Sequence, residues 1–126
     1  MLTVCTRGKN IWLLKKSNVV GDGLYSWSEY KILKEKYGNK LVIIAVYAPP
    51  ALRYERLVKR TLAKADTNLR NRPATPESAK ARDYAEIENI EKGGPIAMAD
   101  FTLSNTGTIK DLISQLENVL PEIEKN

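Results

Sequence analysis

An aspartate held between two glycines, Gly21-Asp22-Gly23, and a basic run in which Arg53, Arg56, Arg60 and Lys64 recur at spacings of 3, 4 and 4 are the groups best suited to chemistry in this sequence. On a helix those spacings put the four cations on one face. Arginine's planar fork can grip a phosphate in two places at once. A carboxylate at the carboxyl end of a strand can hold a substrate hydroxyl or a water bound to Mg²⁺. The same groups have plainer uses: Asp-Gly is ordinary turn chemistry, and a basic helix face is commonly solvated and paired with acids such as Glu55. Asn105-Thr106-Gly107 could seat a nucleobase on its backbone N–H groups, although turn formation and helix capping account for Gly107 and Thr108 equally well. Arg82 and Glu86 stand at i,i+4, whose ordinary meaning is modest helix support. Tyr25, Trp27 and Tyr30 lie beside Asp22 and serve either a pocket or the core.

Two absences narrow the chemistry. There is no histidine, so Ser-His-Asp and Cys-His pairs and imidazole metal ligands are excluded, and any general base is Asp, Glu, Lys or Tyr. Cys5 is the single thiol, which excludes intramolecular disulfides and structural zinc and fits a reducing compartment; its plain use is as a small apolar strand residue. The remaining metal option is a hard cation such as Mg²⁺ held by oxygens. With 126 residues, 43% hydrophobic and 28% charged, the chain has the composition of one globular domain able to bury a core. The apolar run from Leu41 to Pro50 is too short to span a membrane, and the first ten residues lack a signal peptide's apolar stretch, so a soluble, cytoplasmic protein is expected. The net charge of +5 is concentrated between Arg53 and Arg82, which holds nine basic and three acidic residues and six of the seven arginines.

The elements that must position these groups follow from the pattern. Asn18-Val19-Val20 reads as a short buried strand running into the Gly21-Asp22-Gly23 turn. Leu24 to Tyr37 is predicted to be a helix, with Ser26 and Glu29 as a capping box, Trp27, Tyr30, Leu33 and Tyr37 on one side, and Gly38-Asn39 as the stop. Leu41 to Ala48, rich in Val and Ile, suits a central parallel strand covered on both faces. Pro50 opens a helix to about Lys64, with Leu52, Leu57, Val58 and Leu62 directed away from the basic face. Thr75-Pro76-Glu77 opens another to Lys92, which Gly93-Gly94-Pro95 is expected to end. A strand at Phe101 to Ser104 follows. Thr108 and Asp111 cap a last helix along which Ile109, Leu112, Ile113, Leu116, Val119, Leu120 and Ile123 keep helical spacing, with Pro121 expected to kink or end it.

In order, Asn18-Val-Val-Gly-Asp-Gly-Leu-Tyr-Ser, the strand ending at Ala48-Pro-Pro, Arg53-Tyr-Glu-Arg-Leu-Val-Lys-Arg60, Ala81-Arg-Asp-Tyr-Ala-Glu86 and Ile96-Ala-Met-Ala-Asp-Phe-Thr-Leu-Ser-Asn105 resemble the later part of P-loop nucleotide kinases, in particular the dephospho-CoA kinase-like and adenylate-kinase-related group. The resemblance runs from about Asn18 to Leu120. It implies an α/β fold of three layers with a mostly parallel sheet and flanking helices, within a single domain over 1–126. It also implies ATP and Mg²⁺ as cofactors and phosphoryl transfer to a nucleotide or a dephospho-CoA-like alcohol. Asp22 would then lie near the acceptor and Mg²⁺. Arg56, Arg60 and Arg82 would face ATP phosphates, residues 65–81 would form the lid region, and Asn105, Thr106 and Gly107 would lie beside adenine.

The sequence departs from that family at one decisive place. Such kinases begin with G-x-x-x-x-G-K-[ST], whose backbone N–H groups and lysine cradle phosphates. Residues 1–17 diverge and carry only Gly8-Lys9, without the first glycine or the following hydroxyl. In the family the strand before that motif lies between the strands ending at Asp22 and Ala48, and an empty slot there would leave unpaired backbone groups. Leu2 to Cys5, Ile11 to Leu14, a second copy or a partner chain is expected to fill it. The expected activity is accordingly weak ligand binding without turnover, the ligand being a small and nucleotide-like molecule, with no membrane partner. Two other readings compete. A nucleic-acid-binding module would use the arginine-rich window, but Tyr54 is the one aromatic within the basic helix, which argues against it. A structural or oligomerisation domain is favoured if Asp22, Arg56 and Arg60 do not share a crevice.

Overall fold

The computed structural model describes residues 19–59 and 75–124. Within them the chain runs α1 (Trp27–Tyr37), a 3-10 turn (Gly38–Lys40), β1 (Ile44–Tyr47), α2 (Pro50–Val58), α3 (Pro76–Ile90), α4 (Gly93–Ala97), β2 (Phe101–Ser104) and α5 (Ile109–Ile123). β1 and β2 pair in parallel, Ile44 opposite Phe101 and Tyr47 opposite Ser104, so the connection through α2, α3 and α4 returns the chain to the same end of the sheet. The fold is mixed α/β with a two-stranded parallel sheet among the described residues.

Local chemistry sets the helix ends. Ser26 Oγ accepts from the Glu29 N–H at 3.1 Å while Glu29 Oε2 accepts from the Ser26 N–H at 3.1 Å, the reciprocal capping expected from the sequence. Gly38 closes α1 at φ 53° and ψ −127°, a backbone region a side chain resists. Thr75 caps α3, and Thr108 with Asp111 caps α5 through a second capping box. The core gathers Tyr30, Leu41 and Ile43, with Leu24, Trp27, Leu33, Tyr37 and Ala99 packed around them. Trp27 and Tyr30 stack with ring centroids 4.8 Å apart, which assigns these two aromatics to the core. Leu41 is 2% exposed and Ile123 is 1% exposed.

Several expectations are corrected. Val19 forms a single-residue bridge and Val20 is 81% exposed, so this run is not a buried strand within the described residues; so short a ladder has few bonds to hold it. Asn18 lies outside the described residues, as do Leu2 to Cys5, Ile11 to Leu14 and residues 60–74 of the expected helix end and lid. The double covering expected of the run from Leu41 to Ala48 holds at its start, where the consecutive Leu41, Val42 and Ile43 are all buried, and fails further on, where Val46 is 57% exposed. Gly93-Gly94-Pro95 does not simply end α3. Glu91, left-handed at φ 53° and ψ 43°, ends it, and the Gly-Gly-Pro run begins the short α4, where Pro95 needs no N–H partner in the first turn. Pro121 lies inside α5 without ending it, because burial of Ile123 two residues on anchors the last turn.

Candidate functional site

The carboxyl ends of β1 and β2 are the place where an open α/β sheet offers a crevice, and two arginines of α2 fold back onto it. Asp100, just ahead of β2, ties the opposite ends of the strands: its Oδ2 accepts from the Ile43 N–H at 2.7 Å and its own N–H donates to the Ile43 carbonyl at 2.9 Å. With the register set there, the Asn105 N–H donates to the Tyr47 carbonyl at 2.7 Å, so Asn105 leaves the sheet beside Ala48.

Arg56 Nη1 donates to the Asn105 carbonyl at 2.7 Å and to Asn105 Oδ1 at 3.1 Å. One turn earlier, Arg53 Nη1 donates to the Ala48 carbonyl at 2.7 Å, and its Nη2 forms an ion pair with Asp83 of α3. The β1–α2 corner, the β2–α5 loop and α3 are thus joined by two guanidinium groups. Burial pulls the Asp83 carboxyl upward, but the Arg53 guanidinium, the Tyr54 hydroxyl and the Lys92 ammonium together hold it below its ordinary value. Burial and the Asp83 carboxylate raise Tyr54.

The loop after Asn105 is ordered by its own side chains. Ser104 Oγ and Thr106 Oγ1 lie 3.0 Å apart. Gln115 of α5 accepts from the Ser104 N–H at 2.8 Å and donates to the Ser104 carbonyl at 2.9 Å. A Cβ on Gly107 would come within 2.6 Å of Asp111 Oδ2, so glycine there makes room for the carboxylate that caps α5. That carboxylate accepts from the Thr108 N–H and hydroxyl, contacts that lower its pKa.

The candidate residues therefore divide. Arg56 and Asn105 are in direct contact, and Thr106 and Gly107 follow on the same exposed loop. Arg82 is on α3, where its Nε donates to Glu86 at 3.0 Å; Glu86 also pairs with Lys92, whose ammonium stands 5.3 Å from the centre of the Tyr25 ring. Burial pulls Glu86 upward, and Lys92 and then Arg82 outweigh it, so its carboxyl lies below the ordinary value. Asp22 is exposed in the segment before α1, and no hydrogen bond or ion pair joins it to Arg56, Arg82 or Asn105. Arg60 lies outside the described residues. Among the described residues no three acidic or thiol side chains gather in one place. Sequence reasoning missed Arg53 as a brace, Asp83 as its partner and Asp100 as the tie across the strands. Their contacts span 30 residues for Arg53 to Asp83 and 57 for Asp100 to Ile43, and no local spacing announces them.

No protein-family model matches the chain. Similar curated proteins include a UPF0200 protein of Sulfurisphaera tokodaii, 41% identical over 109 residues, which cover 86% of this chain and 56% of that one. A UPF0200 protein of Staphylothermus marinus is 34% identical over 116 residues, 89% of this chain and 54% of its own. A UPF0200/UPF0201 protein of Archaeoglobus fulgidus is 31% identical over 115 residues, 90% of this chain and 33% of its own. The chain spans about half the length of the first two relatives and a third of the last. It is homologous to UPF0200 proteins over most of its length, and none of these names states an activity.

Proposed function

We propose that this homologue of the UPF0200 proteins is a nucleotide-handling domain of the P-loop kinase type, which binds phosphorylated ligands at the carboxyl edge of its parallel strands but does not turn over ATP as this chain alone. The observation that carries the reading is the pair of hydrogen bonds from Arg56 to Asn105, at 2.7 and 3.1 Å. They place an arginine and a loop of small polar residues together at the strand ends, where ligands of open α/β sheets bind. In this reading Asn105, Thr106 and Gly107 lie beside the base, while Arg56, Arg60 and Arg82 serve its phosphates. Asp22 stands on the side of the acceptor, a nucleotide or nucleotide-like alcohol.

Phosphoryl transfer of this kind depends on positioning and charge stabilisation. Each residue's part is electrostatic: the guanidinium groups offset charge on the phosphate oxygens, and the loop excludes water from one side of the base. The sequence holds no G-x-x-x-x-G-K-[ST] motif, so the largest stabilising contribution to the transferring group is not supplied here. ATP, ADP and dephospho-CoA titrated into the chain, with ATP consumption measured in parallel, test the reading. Binding without turnover is expected, weakened ~10-fold or more in Arg56→Gln, as befits loss of a charge-assisted contact. Failure of all three to bind would overturn the site, and robust turnover would overturn the division between binding and catalysis.

A further inference from the structure

The side chain on which Arg56 rests is itself nearly used up. The Asn105 N–H donates to the Tyr47 carbonyl at 2.7 Å, its carbonyl accepts from Arg56 Nη1 at 2.7 Å, and its Oδ1 accepts from the same nitrogen at 3.1 Å. A guanidinium nitrogen can only donate, so the amide must turn its oxygen toward Arg56 and its nitrogen away. Asn105 Nδ2, with two hydrogens, is the group left over, and among the described residues nothing accepts from it. The residue is half-buried where β2 ends, just ahead of the exposed Thr106 and Gly107.

This bears on which base can lie there. Asparagine's usual grip on adenine is bidentate: Oδ1 accepts from the N6 amino group while Nδ2 donates to N7. Here Oδ1 is taken, and an amino group brought up to it meets the hydrogens of a guanidinium already seated there. A purine with an oxo group at C6 presents O6 and N7, two acceptors side by side, which suits an amide that has only donors to give. We infer that Asn105 is a specificity-determining residue, selecting a nucleotide whose base is a 6-oxopurine, guanine or hypoxanthine, over the adenine expected from the sequence. This rests on the proposed function, whose ligand it names: Arg56 keeps its Nε and Nη2 for a phosphate, and Asn105 Nδ2 meets the base.

GDP, IDP and ADP titrated into the chain by calorimetry test it, IDP because hypoxanthine carries O6 and N7 without guanine's amino group at C2. GDP and IDP are expected to bind within ~3-fold of each other and each at least ~10-fold tighter than ADP, the discrimination that a matched base edge gives. Equal binding of all three, or tighter binding of ADP, would overturn the inference and leave the nucleotide site standing. Tight GDP with IDP no better than ADP would also overturn it, since the selection would then come from the C2 amino group. Binding of none of the three would overturn both. Asn105→Ala separates the amide from the fold: the preference for IDP over ADP is expected to shrink to within ~3-fold once the edge is unread. General loss of structure would weaken the two alike, and an unchanged ratio would count against the inference. Inorganic pyrophosphate is titrated into the same variant. If it is weakened as much as IDP, the amide serves the phosphates and the inference falls.

Discussion

At the scale of single residues, the Arg53–Asp83 pair is the contact whose removal is most informative, because it joins α2 to α3 across 30 residues of sequence. Asp83 has a depressed folded pKa, so its contribution is fully present above the unfolded value, about 3.9, and is lost as pH falls through the folded one. Asp83→Asn is therefore expected to cost about 1 kcal/mol at neutral pH, a modest figure because the Arg53 side chain is 38% exposed and solvent screens the pair. The cost shrinks below about pH 4, and urea melts of both proteins at pH 7 and pH 3 measure it; an undiminished difference at pH 3 would count against the charge. Asp83 also shows where sequence reading ran out. Arg56 and the Asn105 loop were separate candidates in the sequence, and the structure brings them into contact. Nothing local marked Asp83 or Asp100, and Glu86, read as the partner of Arg82 alone, also serves Lys92.

At the scale of elements, the legible features were those encoded within one turn of chain. Both capping boxes, the stop at Gly38 and the Thr75 cap are all where residue types placed them, since each depends on partners three or four residues away. Ser26→Ala should lower stability by about 1 kcal/mol, the usual cost of a lost N-cap. Gly38→Ala meets no atom within 4 Å, so its cost is purely that of the backbone at φ 53°, about 1–2 kcal/mol. Gly94→Ala has the opposite origin: its Cβ would come within 2.7 Å of the Trp27 ring, so α4 must move off α1. A near-ultraviolet circular dichroism change in Gly94→Ala, absent from Gly38→Ala, distinguishes steric displacement from backbone strain. The elements that sequence misjudged were decided by tertiary context instead. An apolar run says that Val46 can be buried, but whether it is depends on which neighbour arrives; burial of Ile123 likewise carries α5 past Pro121.

At the scale of the whole molecule, the question is what the excess of positive charge between Arg53 and Arg82 is for. A nucleic-acid interface needs cations free to replace counterions along a backbone. In the described part of this window Arg53, Lys59 and Arg82 are each paired with a carboxylate, Lys80 lies 5.5 Å from the centre of the Tyr84 ring, and Arg56 is held on Asn105. Exposed pairs of this kind are weak, about 0–1 kcal/mol each, so a polyanion could open them, but it would displace a carboxylate for each cation gained. For these described cations the net release of counterions is then small. Binding of a single-stranded oligonucleotide, followed from 50 to 300 mM salt, should therefore show a log–log slope shallower than about −2, against roughly −0.7 for every phosphate fully neutralised. A slope of about −4 or steeper would require about six or more freed cations. It would turn the same arginines into a nucleic-acid surface and leave the small-nucleotide reading without its electrostatic support.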